Sequence, residues 1–134
     1  MNKKDSVVLS HMLQSAKKRC TIPNANNGRA LMSCIILDKN YMKISHTGIN
    51  KYEMTMNHGT VHAEIDALIK LPPAKIPNKI INLAVYTTSR DGNKLLMSKC
   101  CNNCIKSINI ISKRKKYIVK HIYYINEMGN LEKL

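Results

Sequence analysis

Apolar positions along the 134-residue chain change their period several times, and each change marks an element. From Asp5 to Cys20, Val8, Leu9, Met12, Leu13 and Ala16 recur at helical spacing. Asp5 or Ser6 is the expected cap, and Lys17-Lys18-Arg19 falls in the last turn, where the helix dipole favours cations. Thr21 to Gly28 is dense in turn residues and reads as a loop. Arg29 to Leu37 is a compact apolar run, Asp38-Lys39-Asn40 a turn, and Tyr41 to Gly48 a second strand, together a hairpin. After a polar loop from Lys51 to Thr60, the spacing predicts a helix over Val61 to Leu71, with Ile65, Leu68 and Ile69 toward the core and Pro72-Pro73 as its stop.

Ile80 to Thr88 is rich in strand formers and almost continuously apolar at its start, as in a central strand covered on both faces. Ser89 to Met97 follows as a loop with a turn signal at Asp91-Gly92; it either walls a pocket or forms a solvated hairpin. Cys101 to Ser112 predicts a third helix with Cys104, Ile105, Ile108 and Ile111 on one face, closed by Lys113-Arg114-Lys115-Lys116. Tyr117 to Asn126 and Leu131 to Leu134 are strands joined by a turn tight enough to make them antiparallel. The order α-ββ-α-β-α-β-β implies an α/β fold: one three-layer domain over residues 1–134, with a mixed five-stranded sheet and helices on its faces.

Composition narrows the class without deciding it. At 44% hydrophobic residues the chain can bury one core, and no apolar run approaches the length needed to cross a bilayer. Met1-Asn2-Lys3-Lys4-Asp5 leads into no signal-peptide core, which gives a cytoplasmic expectation. Five cysteines, an odd number, then argue for reduced thiols rather than a disulfide framework. The net charge of +14 admits a polyanionic partner, yet an excess of Lys, Asn and Ile is also what AT-rich codons produce. With no Trp or Phe, only tyrosine can stack on splayed bases.

Chemistry concentrates in two stretches, His62-Ala63-Glu64 opening the second helix and Cys101-Asn102-Asn103-Cys104 opening the third. Cys104 lies one turn beyond Cys101, so both thiolates can address one ion, and His62 completes three protein ligands for Zn2+ with a fourth position open to water. Glu64, two residues past His62, is placed to move protons for that water. Each half alone is commonplace. In this order, with a strand between them, they read as a zinc site, and a structural knuckle is disfavoured because no second Cys-x-x-Cys exists. Other candidates have duller readings: His11 as a satisfied helix histidine, Cys34 as a small core hydrophobe, Tyr52 and His58 as loop residues bordering the site.

On these residues the chain resembles the cytidine and deoxycytidylate deaminase superfamily over most of its length. The resemblance implies a cytidine deaminase-like fold and a zinc-dependent hydrolase that removes the amino group from a cytosine base in a small nucleoside or nucleotide. It implies that Glu64 is catalytic, that His62, Cys101 and Cys104 hold the metal, that Asn50 of Gly48-Ile49-Asn50 holds the sugar, and that backbone N–H groups near Ala63 and Cys101 meet the base carbonyl. Homo-oligomers are common in such families. Two departures stand out: Cys100 replaces the proline that precedes the first metal cysteine, and the 89–97 loop is longer than the family's. The alternatives are a deaminase of RNA or single-stranded DNA, including the tRNA adenosine type, and a silent zinc-stabilised module, against which the retained Glu64 counts. The basic run Lys113 to Lys116 lies roughly 13–18 Å along its helix from the cysteine end, which favours a free nucleotide over a polynucleotide.

Overall fold

A computed structural model of the chain describes residues 2–20, 31–44, 47–49, 51–52, 60–61, 63–88, 95–98 and 102–134. The elements in order are α1 (Lys3–Cys20), β1 (Leu31–Asp38), β2 (Gly48–Ile49), β3 (Lys51–Tyr52), β4 (Thr60–Val61), α2 (Ala63–Lys70), β5 (Lys79–Thr88), β6 (Leu95–Leu96), α3 (Asn102–Arg114), β7 (Tyr117–Ile125) and β8 (Leu131–Lys133). Five strands form a mixed sheet in the order β2-β1-β5-β7-β8, and the two-residue β6 pairs with the end of β5. Among the described residues only β5 and β7 run parallel, joined through α3; β7 and β8 are antiparallel, as their tight turn requires.

Alternation along the central strands sends side chains to two cores, one on each face of the sheet. Ile35, Leu37, Ala84, Tyr86, Tyr123 and Ile125 meet Val8, Met12 and Ala16 of α1. On the other face Cys34, Ile36, Ile81, Leu83 and Val85 meet Ala63, Ala67, Leu68, Cys104 and Ile108 of α2 and α3. The eight residues from Ile81 to Thr88 are all buried, which is why β5 reads as almost continuously apolar before its two threonines.

Four local readings from the sequence change. Helix α1 begins at Lys3 and its cap is Asn2, whose Oδ1 accepts the Asp5 amide at 2.8 Å; the apolar period starts a turn later and is blind to this. The returning strand of the hairpin is broken. It touches β1 at Leu37↔Lys43 and again at Cys34↔Gly48, so three steps on β1 face five on its partner. The ends of the polar loop are not loop but the antiparallel pair β3–β4. Finally, Ile69 of α2 is 58% exposed, because the buried stripe is Ala63, Glu64, Ala67, Leu68 and Leu71.

That stripe of small residues has a cause in β2. A Cβ built on Gly48 would fall 2.5 Å from the Ala67 amide nitrogen and 2.6 Å from the Ala67 Cβ, and against the Ala63 carbonyl. Only glycine lets this strand and the first turns of α2 approach so closely.

The far end of α2 is held by a residue distant in sequence. Pro72 and Pro73 stop the helix, and lacking N–H groups they leave the carbonyls of Leu68 and Ile69 without their i+4 donors. Lys115, in the turn after α3, donates from Nζ to the carbonyls of Leu68, Ile69 and Leu71, each at 2.6 Å. Burial lowers the Lys115 pKa from the ordinary lysine value, and the three carbonyl dipoles act in the opposite sense by favouring the charged form. The Tyr117 hydroxyl donates to the Pro72 carbonyl at 2.6 Å, and the amides of Ala74 and Lys79 donate to the carbonyls of Lys115 and Lys116. The C-terminal ends of α2 and α3 are thereby locked together at one end of the sheet.

Candidate active site

If the C-terminal ends of α2 and α3 meet at one end, their first turns lie toward the other, the carboxyl end of the parallel pair β5–β7. Open α/β sheets bind ligands at that end. The strands separate there. Their ladder runs from Lys79↔Tyr117 to Ala84↔Tyr123 and stops, and Ser98 takes the place of the next rungs. Its hydroxyl donates to the Val85 carbonyl at 2.8 Å and accepts the Ile125 amide at 3.0 Å, while its own amide donates to the Ile125 carbonyl at 2.9 Å. Buried Ser98 thus brings the chain into the gap between β5 and β7 three residues before Cys101. Sequence reasoning gave Ser98 no role, since a lone serine carries no signal of a strand wedge.

Three of the site residues expected from the sequence are described. Ala63 is the first residue of α2 and fully buried, with its amide among those a helix start leaves without an intrahelical acceptor. Glu64 follows it, 1% exposed. Burying a carboxylate is costly unless the surroundings compensate, and the positive end of the α2 dipole is one such compensation. Asp66, also in the first turn, is engaged by Lys70 at 2.9 Å. Cys104 lies in the first turn of α3, 6% exposed, in the same continuous core cluster as Ala63 and Val85. The structure therefore puts a buried acid and a buried thiol on two helix starts that share one side of the sheet.

His62, Cys101 and Asn50 lie outside the described residues, as do Cys100, His58 and residues 89–94 of the long loop. Among the described residues no three His, Cys, Asp or Glu side chains converge. Of the expected metal set only Cys104 is described, a buried thiol of the kind zinc takes; in the sequence Cys101 stands three residues before it and His62 immediately precedes the first residue of α2. The dull readings of His11 and Cys34 hold, whereas Tyr52 lies in β3 rather than in a loop. His11 Nε2 hydrogen-bonds the Tyr41 carbonyl at 3.0 Å, and Cys34 is wholly buried in the core.

A cavity of about 760 Å³ lies at the locked end, lined among others by Asn40, Leu71, Pro73, Ile76 and Tyr117. None of its lining residues belongs to the two motifs, so its size is no guide to the chemistry.

No protein-family model and no curated protein matches the chain. Solved structures do resemble it, among them two cytidine deaminases. A cytidine deaminase from Burkholderia pseudomallei aligns over 100% of this chain and 92% of its own, with a TM-score of 0.51 at 12% identity. A cytidine deaminase from Mycobacterium leprae aligns over 99% and 94%, with a TM-score of 0.49 at 16% identity. At such identities the likeness is one of fold, and it rests on the first: the mixed sheet flanked by three helices is a cytidine deaminase-like architecture.

Proposed function

We propose that residues 1–134 form one catalytic domain that hydrolyses the amino group from cytosine in a free nucleoside or nucleotide, using zinc held by His62, Cys101 and Cys104. A fold alone does not specify chemistry. The observation that carries the reading is Glu64, 1% exposed in the first turn of α2 on the side of the sheet that also holds the buried Cys104. Burying a carboxylate there carries a desolvation cost, and proton transfer in a water-poor site is a use for one.

When bound, zinc would supply a Lewis acid that makes a water nucleophilic near neutral pH. Glu64 takes a proton from that water as its oxygen bonds to C4 of the base, and returns protons to the base and to the departing nitrogen. The C4–N bond breaks and ammonia leaves, with uracil as the other product. Asn50 orients the sugar, and the amide of Ala63 donates to the base carbonyl.

A free substrate is favoured by where the cations lie. Exposed Lys113, Arg114 and Lys116, with Lys75 and Lys79 beside them, gather at the locked end, away from Glu64. A polynucleotide threaded through the site would need many cations near its mouth, where the sequence offers Lys51, Arg90, Lys94 and Lys99, enough for one phosphate and thin for several.

The test is to load the protein with zinc and offer cytidine, deoxycytidine, their monophosphates, single-stranded oligonucleotides and tRNA, following ammonia together with uracil or inosine. Cytidine-type turnover is expected, and Glu64→Gln should lose it by roughly a hundredfold or more at unchanged melting temperature and zinc content. An active Glu64→Gln enzyme would refute the mechanism. Turnover confined to oligonucleotides and falling steeply with salt would replace the free substrate with a nucleic acid.

A further inference from the structure

Strand β5 ends in Thr87 and Thr88, both buried, and neither hydroxyl finds a hydrogen-bond partner among the described residues. Buried hydroxyls are normally paired, so each orphan calls for an explanation. The two differ in where they point. Val85 packs in the core beneath α2 and α3, whereas Ala84 and Tyr86 pack beneath α1. By strand alternation Thr87 continues the first row and Thr88 the second. Met32, opposite Thr87 across the ladder, packs on the α2 and α3 side and fixes that assignment.

Along its row Thr87 stands about 6.6 Å beyond Val85 toward the carboxyl end of the sheet. Val85 pairs with Cys34, Cys34 pairs with Gly48, and Gly48 lies against Ala63 and Ala67, so Val85 is level with the first turn of α2 and Thr87 stands one step beyond it on the same side. It also lies past Ser98, where β5 has parted from β7. Thr87 keeps 7% of its surface accessible, against 1% for Thr88. Strand propensity does not account for the hydroxyl, because valine has the same shape, suits a strand as well and buries no polar atom.

We infer that Thr87 is a substrate-binding residue, its hydroxyl hydrogen-bonding a polar group of the nucleoside that occupies the site. This rests on the deaminase reading above and adds a contact that none of the motif residues supplies. The hydroxyl meets its partner only when ligand is bound, which is why the protein alone leaves it unmatched.

The experiment compares Thr87→Val, Thr87→Ser and Thr88→Val with the parent protein. Melting temperature, the heat of cytidine binding and kcat/KM for cytidine deamination are each measured. Thr87→Val should melt at or slightly above the parent temperature, because removing an unmatched hydroxyl costs nothing. It should weaken cytidine binding and lower kcat/KM by roughly tenfold, the scale of one lost hydrogen bond to a ligand that is then left unpaired. Thr87→Ser should recover most of the loss. Thr88→Val, the same change on the opposite face, should leave binding and turnover unaltered. Parental binding and turnover in Thr87→Val overturn the inference, and so does an equal loss in Thr88→Val, which would make the effect one of strand packing. A parent protein that neither binds nor converts any nucleoside overturns the deaminase reading and Thr87 with it, whereas an active parent matched by Thr87→Val overturns Thr87 alone.

Discussion

Replacing Lys115 by methionine keeps the length of the side chain and removes its ammonium. In the native fold that group donates to three carbonyls at 2.6 Å, two of them belonging to residues whose usual helical donors are replaced by Pro72 and Pro73. Hydrogen bonds to charged groups contribute about 1.5–3 kcal/mol each when well shielded, but this site is partly exposed and water can replace some of them. A total loss of about 2–4 kcal/mol is expected. Melting temperature falls about 3–4 °C per kcal/mol for a chain of this length, so a drop of roughly 6–15 °C should be seen. Urea titration followed by circular dichroism should give the same loss at an unchanged slope. Lys113→Met, at an exposed position in the same basic run, should stay within about 0.5 kcal/mol of the parent. Lys115 engages the last turn of α2 whereas Glu64 stands in its first, so well below the transition the variant should keep its activity. A Lys115→Met protein as stable as the parent would mean that solvent serves these carbonyls as well as the ammonium does, and that the locked end is no lock.

Gly48→Ala should destabilise by at least about 2 kcal/mol in a urea melt, because the added methyl meets backbone and Cβ atoms of α2 that cannot move aside; a neutral result would mean β2 and α2 are not in close contact. Zinc should bind at one equivalent per chain by metal analysis, Cys101→Ser and Cys104→Ser should lose both metal and stability, and Cys100→Ala should keep them. Stoichiometric zinc in the double variant Cys101→Ser Cys104→Ser would overturn the ligand set, and loss of zinc from Cys100→Ala alone would transfer the role to Cys100. His121 has its pKa lowered from 6.5 by burial, then by Lys133, Lys120 and Lys4. The unfolded chain therefore takes up this proton first as pH falls, so stability should decline from about pH 6.5 toward the lower folded value and level off below it. His121→Gln should flatten that part of a stability-versus-pH curve.

The sequence was most informative where a single period ran unbroken. Helix α3, with Cys104, Ile105, Ile108 and Ile111 on one face, and β5, buried on both, could be read directly. Helix α2 was legible in part: Leu68 and Ile65 do pack on the core, but Ile69 is exposed, and the stripe also runs through Ala63 and Ala67, whose small size matches the close approach of Gly48. Two buried acids on the same helix, Glu64 and Asp66, weaken the apolar signal further. Lys115 resembles any cation at a helix end until Pro72 and Pro73, more than forty residues earlier, are brought beside it. The two motifs announced the candidate chemistry. Ser98 and Thr87 carry no motif, since what singles them out is a place between strands and a side of the sheet.

These placements divide the molecule into two ends with different work. At the amino end of the parallel pair, side chains and backbone join the turns after α2 and α3 through Lys115, Tyr117, Ala74 and Lys79. Opening that end means breaking several of these bonds at once. At the carboxyl end the ladder has already parted, and one serine hydroxyl stands where backbone rungs would otherwise run. The space between the parted strands is filled by β6, which pairs with β5 at Thr87 and Thr88, and by Ser98, whose amide and hydroxyl bridge to β7. This parting adjoins the two helix starts that carry Glu64 and Cys104, and the unmatched Thr87 hydroxyl lies past it. On the proposed function, stability and substrate recognition would draw on different residues. Substitutions at the locked end should lower melting temperature while sparing turnover, and Thr87→Val should do the reverse.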